Sequence, residues 1–169
     1  WQHAYDKYAW QDLVLVATDA VRVEQVVEME GIGMTLPRMT LKGLVLATPA
    51  FRMRVAQSVT SLHIYIPDLN RLLEFHDDFL SLPFSKVHRL VLSHIAPGNR
   101  RRIAKHGAER LCSMFANIAG TVRSLQIAIG SVAQELFPAS FTSLRVLQND
   151  IEDAPLSVAS CNPGLLEHV

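Results

Sequence analysis

Net charge, cysteine and long apolar runs are all scarce in this chain, and each scarcity excludes a class of protein. Sixteen lysines and arginines balance sixteen aspartates and glutamates over 169 residues, so the chain lacks the positive excess with which proteins grip nucleic acid. The two cysteines, Cys112 and Cys161, cannot build a disulfide framework. No segment approaches the roughly 18 consecutive apolar residues of a membrane-spanning helix. We therefore expect an intracellular, cytoplasmic protein that binds neither nucleic acid nor membrane.

Signatures of catalysis and of cofactor binding are scarce as well. The glycines of Gly31–Gly33 lack the third glycine and the preceding strand of a dinucleotide-binding loop, and no serine lies in a nucleophile-elbow context. His76–Asp78 combines metal-ligand residue types, but adjacent residues on a helix point in different directions, so we interpret it as a solvated helix face. The sequence predicts no catalytic residue, no cofactor and no metal ligand, and we expect a protein that is not an enzyme.

What the chain does contain is a repeated apolar pattern. The stretch "GTVRSLQIAIG" (Gly120–Gly130) alternates apolar with polar or small residues, as a half-buried strand does. Three other segments share its form: an apolar residue, two variable residues, leucine, one variable residue and usually another aliphatic. The four predicted strands lie near residues 59–66, 87–95, 122–129 and 144–149, with helical patterns between them.

Strands that alternate with helices predict an α/β protein with parallel strands. We expect residues 1–57 to form a mixed, mainly helical segment that leads into an array over residues 58–169. In the first segment, Asp12–Ala17 is a candidate strand and the chain on either side of Pro49 has a helical pattern.

The four strand segments resemble the leucine-rich repeat, whose strand carries leucine, two variable residues, leucine, one variable residue and leucine. "FTSLRVL" (Phe141–Leu147) is typical of it, and "CNPGLLEHV" (Cys161–Val169) resembles the start of a fifth copy, so we expect the array to be truncated at the C-terminus. The resemblance implies a solenoid whose anchors stack into one core while the variable residues project from a concave sheet.

The run-up to the array carries a second resemblance. "LVLATPAFRMRVAQSVTSLHI" (Leu44–Ile64) is similar to the end of an F-box domain where it enters leucine-rich repeats, with Phe51 and Arg52 as the aromatic and basic pair. This resemblance implies the substrate-recognition part of a ubiquitin-ligase adaptor.

The variable strand residues are the candidate binding surface. Arg89, Arg123 and Arg145 recur near the start of three successive strand rows, and the arginine fork suits carboxylate and phosphate. On this interpretation the chain is a protein-protein interaction module with an acidic or phosphorylated protein partner. On the alternative interpretation these are solvated positions that keep an open sheet soluble. The candidate partner-binding residues are His63, Tyr65, His88, Arg89, Arg123, Gln126, Arg145 and Gln148.

A small α/β enzyme is the contrasting hypothesis, because parallel sheets carry sites at the C-terminal ends of their strands. The polar pairs there, Ser93–His94, Gly130–Ser131 and Asn149–Asp150, form no recognisable catalytic set. The two hypotheses predict different strand orders. A solenoid places the four strands in chain order, whereas a doubly wound enzyme reverses direction near its site.

Overall fold

A computed structural model describes residues 10–18, 38–67, 69–94, 105–128 and 141–149. Gly31–Gly33, Gly130–Ser131, Asp150 and the tail with Cys161 lie outside these residues. The strands are β1 (Asp12–Val16), β2 (Arg38–Thr40), β3 (Ser61–Ile66), β4 (Arg89–His94), β5 (Ser124–Ala128) and β6 (Val146–Asn149). The helices are α1 (Leu41–Leu46), α2 (Pro49–Ser58), α3 (Leu69–Glu74), α4 (His76–Leu80) and α5 (Lys105–Met114).

The strands pair in parallel in one sheet of order β2-β1-β3-β4-β5-β6. This confirms the predicted α/β fold with parallel strands that alternate with helices. From β3 to β6 the strands follow one another in chain order, and β5 lies between β4 and β6. At the other end the order reverses, because β2 lies outside β1 while β3 lies on the inner side of β1. The sheet thus extends into the segment before residue 58.

The apolar anchors of the four array strands are level with one another across the sheet. Residues alternate between the two faces of a strand, and the anchors of each strand are two residues apart, so they share one face of the sheet. The two rows that cross β3 to β6 are Leu62, Leu90, Leu125 and Leu147, and Ile64, Leu92, Ile127 and Asn149. Asn149 takes the place of an aliphatic residue in the last strand, as its position in the repeat predicts.

Every described helix packs against the face of the sheet that carries these anchors. A single cluster of buried residues joins the anchors to Leu44 of α1, Val55 of α2, Leu72 of α3 and Leu111 of α5. Phe79 of α4 belongs to the same cluster. The Phe79 ring lies 5.1 Å from the ring centroid of Phe115 and 5.5 Å from that of Phe84. One continuous core therefore holds the helices and the strands together.

Two threonines determine where the first helices begin. The Thr40 hydroxyl accepts a hydrogen bond from the Gly43 N–H at 2.9 Å and caps α1, and the Thr48 hydroxyl accepts from the Phe51 N–H at 3.4 Å and caps α2. Pro49 occupies the first position of α2, where its missing N–H costs no hydrogen bond. The helical pattern around Pro49 is therefore two helices. None of the described helices is long and apolar enough to cross a membrane.

Candidate interaction surface

The face of the sheet opposite the helices carries polar side chains on its central strands. These residues alternate along each strand with the buried anchors, and each of them is partly or fully exposed. We call them the open face, and they are Ser61, His63, Arg89, Val91, Ser93, Ser124 and Gln126.

A hydrogen bond between His63 and Ser93 joins β3 to β4 on the open face. The His63 Nε2 atom lies 2.6 Å from the Ser93 hydroxyl oxygen. His63 is level with Val91, so the hydrogen bond runs diagonally between the strands. Partial burial lowers the pKa of His63, and the positive charge of Arg89 lowers it further. The neutral imidazole is therefore the favoured form of this side chain.

Arg89 joins β4 to β5. Its Nη2 atom donates to Gln126 Oε1 at 3.5 Å, again along a diagonal, because Arg89 is level with Ser124. The Arg89 side chain is exposed. Together with the bond between His63 and Ser93, this contact links side chains across three neighbouring strands.

The residues that directly precede the array strands form a second feature at the N-terminal edge of the sheet. The carbonyl oxygen of Arg123 accepts hydrogen bonds from the N–H groups of Arg145 (2.8 Å) and Val146 (2.9 Å). The same arrangement links His88 to Arg123, and Thr60 to His88. The backbone therefore holds one residue per strand at one level. We call Thr60, His88, Arg123 and Arg145 the entry row.

The three predicted arginines do not share one row. Arg123 and Arg145 lie in the entry row with exposed side chains, whereas Arg89 lies one residue further along, on the open face. The exposed His88 is the entry-row residue that directly precedes β4. Its Nδ1 atom donates a hydrogen bond to the Thr121 carbonyl oxygen at 3.2 Å. The surface thus combines a cationic edge with a polar face.

Two other predicted residues stand apart from this surface. Tyr65 is only 8% exposed, and burial raises the pKa of its hydroxyl. The backbone of Gln148 is level with Gln126, but its side chain is not among those that the structure describes. Ser93 was not predicted as a site residue, although its place in the same strand row as His88 and Arg89 is visible in the sequence.

The described carboxylates lie mostly on the helices, which also carry basic residues such as Arg71 and Arg110. Four of the described carboxylates, Glu74, Asp77, Asp78 and Glu109, lie on α3, α4 and α5. The fifth, Asp12, lies on β1. Among the described residues the acidic groups are thus concentrated on the helices, while the entry row and Arg89 are basic.

His76 belongs to that helical side. Its Nδ1 atom lies 2.6 Å from the Asp77 carboxylate, and its Nε2 atom lies 2.9 Å from the Ser113 hydroxyl, which connects α4 to the end of α5. Asp77 is almost fully exposed. Within the described ranges no three His, Cys, Asp or Glu side chains are grouped so that they could hold a metal ion. Cys112 is half-buried and packs against the core.

Comparisons with protein-family models, with curated proteins and with solved structures find no match for this chain. Its own architecture defines an α/β protein: among the described residues, the helices cover one face of a parallel sheet, and β3, β4 and β5 carry polar side chains and Arg89 on the other.

Proposed function

We propose that the protein is a non-enzymatic protein-protein interaction module, and that it binds its partner with the open face and the entry row. One observation carries this proposal. On the face of the sheet opposite the described helices, the polar side chains of β3, β4 and β5 are partly or fully exposed, so a partner can reach them.

The side-chain contacts on the open face favour binding. The hydrogen bonds from His63 to Ser93 and from Arg89 to Gln126 hold side chains of neighbouring strands in place. A surface whose rotamers are already restricted loses less conformational entropy when a partner docks. The backbone beneath it is a paired sheet, which keeps the spacing of these groups fixed.

We further propose that residues 58–169 form a leucine-rich-repeat-like solenoid. The level anchors of β3 to β6, their order along the chain and the repeated hydrogen bonding of the entry row support this proposal. A solenoid core is built by such stacking of equivalent positions, because no single repeat can bury its own apolar face.

The particular case implied by the F-box resemblance is a substrate-recognition subunit of a ubiquitin-ligase adaptor. Phe51, which carries that resemblance, lies on α2, packs edge-on against Trp10 with ring centroids 5.6 Å apart and contacts the core. Its neighbour Arg52 is partly exposed. In this case α1 and α2 would precede the array, and the open face would select the substrate.

Site-specific photocrosslinking tests the interaction surface. A photoreactive phenylalanine analogue placed at Val91, in the middle of the open face, should form covalent adducts with a partner protein in cells. The same analogue at Gln57, which is exposed on α2, is the matched control and should not give those adducts. Adducts that are absent at position 91, or that are the same at both positions, would contradict the proposal.

The reversal of strand order favours a second candidate function. In open parallel sheets, ligands bind beyond the C-terminal ends of the strands at the point where the order reverses, and here that point lies between β1 and β3. Thr18 and Pro67 follow these two strands. An α/β enzyme would be stabilised by its small ligand, so its melting temperature should rise by on the order of a few degrees with one member of a panel of nucleotides and coenzymes. A Thr18→Arg variant should abolish that rise.

A further inference from the structure

We infer that Arg89 on the open face binds a glutamate side chain of the partner protein. This inference rests on the proposed function and specifies the chemistry of the partner at the middle of the open face. The guanidinium group of Arg89 would bind the carboxylate, and Val91 would contact the aliphatic part of the same glutamate.

Arg89 has no acidic partner on the open face. Its side chain is exposed, and it forms no ion pair with the described residues. Asp12 and Arg89 are both level with Ser61, so they lie two strands apart, which is about 10 Å. The guanidinium group contacts Gln126 of β5 instead, on the side away from β1. The other described carboxylates lie on the helices, so a partner is the natural source of an anion for Arg89.

The positive charge of Arg89 also acts on the neighbouring strand. Burial lowers the pKa of His63 on β3, and the charge of Arg89 lowers it further. The charge is therefore not cancelled within the open face. A carboxylate bound to Arg89 would cancel it and would accept charge-assisted hydrogen bonds from the guanidinium group.

The guanidinium group is restrained before a partner binds. Its Nη2 atom donates to Gln126 Oε1 at 3.5 Å, and this contact uses only one of the guanidinium donors. A carboxylate accepts two parallel hydrogen bonds from an arginine fork, and donors for them remain. Because the long side chain is already partly ordered, less conformational entropy is lost when the carboxylate binds.

The side chains next to Arg89 on the open face are uncharged. Ser61 and Ser124 are level with it on the two neighbouring strands, and Val91 follows on the same face of β4 and is partly exposed. An arginine surrounded by neutral contacts is typical of the residues that dominate the affinity of an interface. Val91 can contact the methylene groups of a glutamate, whose length lets its carboxylate reach the guanidinium group at the same time.

A phosphate fits this surface less well than a carboxylate, because Arg89 is the single arginine of the open face. Arg123 directly precedes Ser124, which is level with Arg89, so the side chain of Arg123 lies on the opposite side of the sheet. A phosphoryl group carries close to two negative charges and three acceptor oxygens. One guanidinium fork instead matches the single charge and two oxygens of a carboxylate.

A peptide array tests the inference with the intact chain. Each peptide has an amidated C-terminus, neutral flanking residues and one central glutamate, and it is compared with the same peptide that carries glutamine there. Fluorescence anisotropy at about 0.15 M salt then measures the affinities of the binders. We expect the glutamate form to bind at least about tenfold more tightly, and we expect an Arg89→Gln variant to bind the two forms equally, since the charge-assisted contact is gone.

Matched variants separate recognition from a general change of charge and from loss of fold. Arg54→Gln makes the same change of charge at an exposed position of α2 and should leave the affinity within about twofold. Arg89→Lys keeps the charge but removes the fork, so it should weaken binding by an intermediate factor. This lysine variant provides the test if Arg89→Gln fails to fold, as judged by its circular dichroism.

Three results would overturn the inference. They are equal affinity of wild type for the glutamate and glutamine peptides, an equal loss of affinity in Arg54→Gln, and tighter binding of peptides with phosphoserine in place of the glutamate. Adducts from position 91 would still form if only the carboxylate recognition is wrong. If those adducts are absent too, the proposed function fails with it.

Discussion

The two ends of the sheet are buried in different ways. At the β1 end both faces are covered, since Leu13 and Leu15 contact the helical core while Val14 and Val16 are buried on the other side. On β4 only the helical face is covered, and Val91 and Ser93 on the opposite face stay partly exposed. The row from Val14 through His63 to Val91 therefore passes from buried to open within three strands.

The two functional hypotheses therefore place their binding sites in different parts of the sheet. The reversal of strand order, which would favour an enzyme site, lies at the end that is buried on both faces. The open face and the entry row lie at the end where the strands follow chain order. A protein partner and a small-molecule ligand would therefore contact different parts of the same sheet.

The largest expected loss of stability comes from placing a charge in the row of Val14, His63 and Val91, which runs from the closed part of the sheet to the open face. Val14→Asp should lower the free energy of unfolding by about 3–5 kcal/mol, because the carboxylate would be buried on a face that is closed at β1. Val91→Asp places the same group in the same row on β4. It should cost only about 1 kcal/mol, mostly the poor strand propensity of aspartate.

Chemical denaturation of the two variants measures both values. Equal destabilisation by the two substitutions would mean that the open face is covered in solution, and would contradict the one-sided burial on which the interaction surface depends.

The sequence anticipates this difference between the ends, since strands that are buried on both faces are read as continuous apolar runs. "LVLV" (Leu13–Val16) in β1 is such a run, whereas "SLQIA" in β5 alternates. The same alternation allowed the array anchors to be aligned, and the paired register places equivalent leucines side by side. The repeat alignment also contains the offset between Arg89 and Arg123, because Arg89 directly precedes its leucine anchor while Arg123 precedes its own by two residues.

Other features could not be predicted from the pattern. The strand β2 consists of Arg38, Met39 and Thr40, which is too short to show a period. Its position outside β1, and with it the reversal, depends on tertiary contacts. The diagonal contact of His63 with Ser93 depends on side-chain rotamers that strand periodicity does not determine. The burial of Tyr65 reflects its place level with Val16, near the closed end of the sheet.

A smaller loss of stability is expected at the two helix caps, of which Thr40 is buried and Thr48 is exposed. Thr40 is level with Val16 at the closed end and fully buried, and its hydroxyl caps α1 at 2.9 Å. Thr40→Val should cost about 1–2 kcal/mol, because the Gly43 N–H loses its partner away from water. Thr48→Val at the exposed cap of α2, where the distance is 3.4 Å, should cost about 0.5 kcal/mol.

Thermal and urea unfolding of the two valine variants provide the comparison. Equal costs at the two caps would show that water reaches Thr40, so that the β2 end of the sheet is less closed than its burial indicates.

The smallest expected effect is a pH dependence of stability caused by His63, which lies between Val14 and Val91 in their row. Its pKa is lowered in the folded protein from 6.5, by partial burial and then by Arg89, so the unfolded chain binds the proton more readily. This contribution to stability is complete above about pH 6.5 and is lost as the pH falls towards the lowered pKa of the folded state. The free energy of unfolding of wild type should therefore decrease from about pH 7.5 to about pH 5.5, and His63→Gln should show a smaller decrease.

Ser61→Ala is the control for this pH dependence, because it alters the same face of β3 without removing a titratable group. It should retain the slope of wild type. Ser93→Ala removes the hydrogen-bond partner of His63 but leaves both the burial and Arg89 in place, so most of the slope should remain. If His63→Gln keeps the full slope, the imidazole is as hydrated in the folded protein as in the unfolded chain, which would contradict its partial burial on the open face.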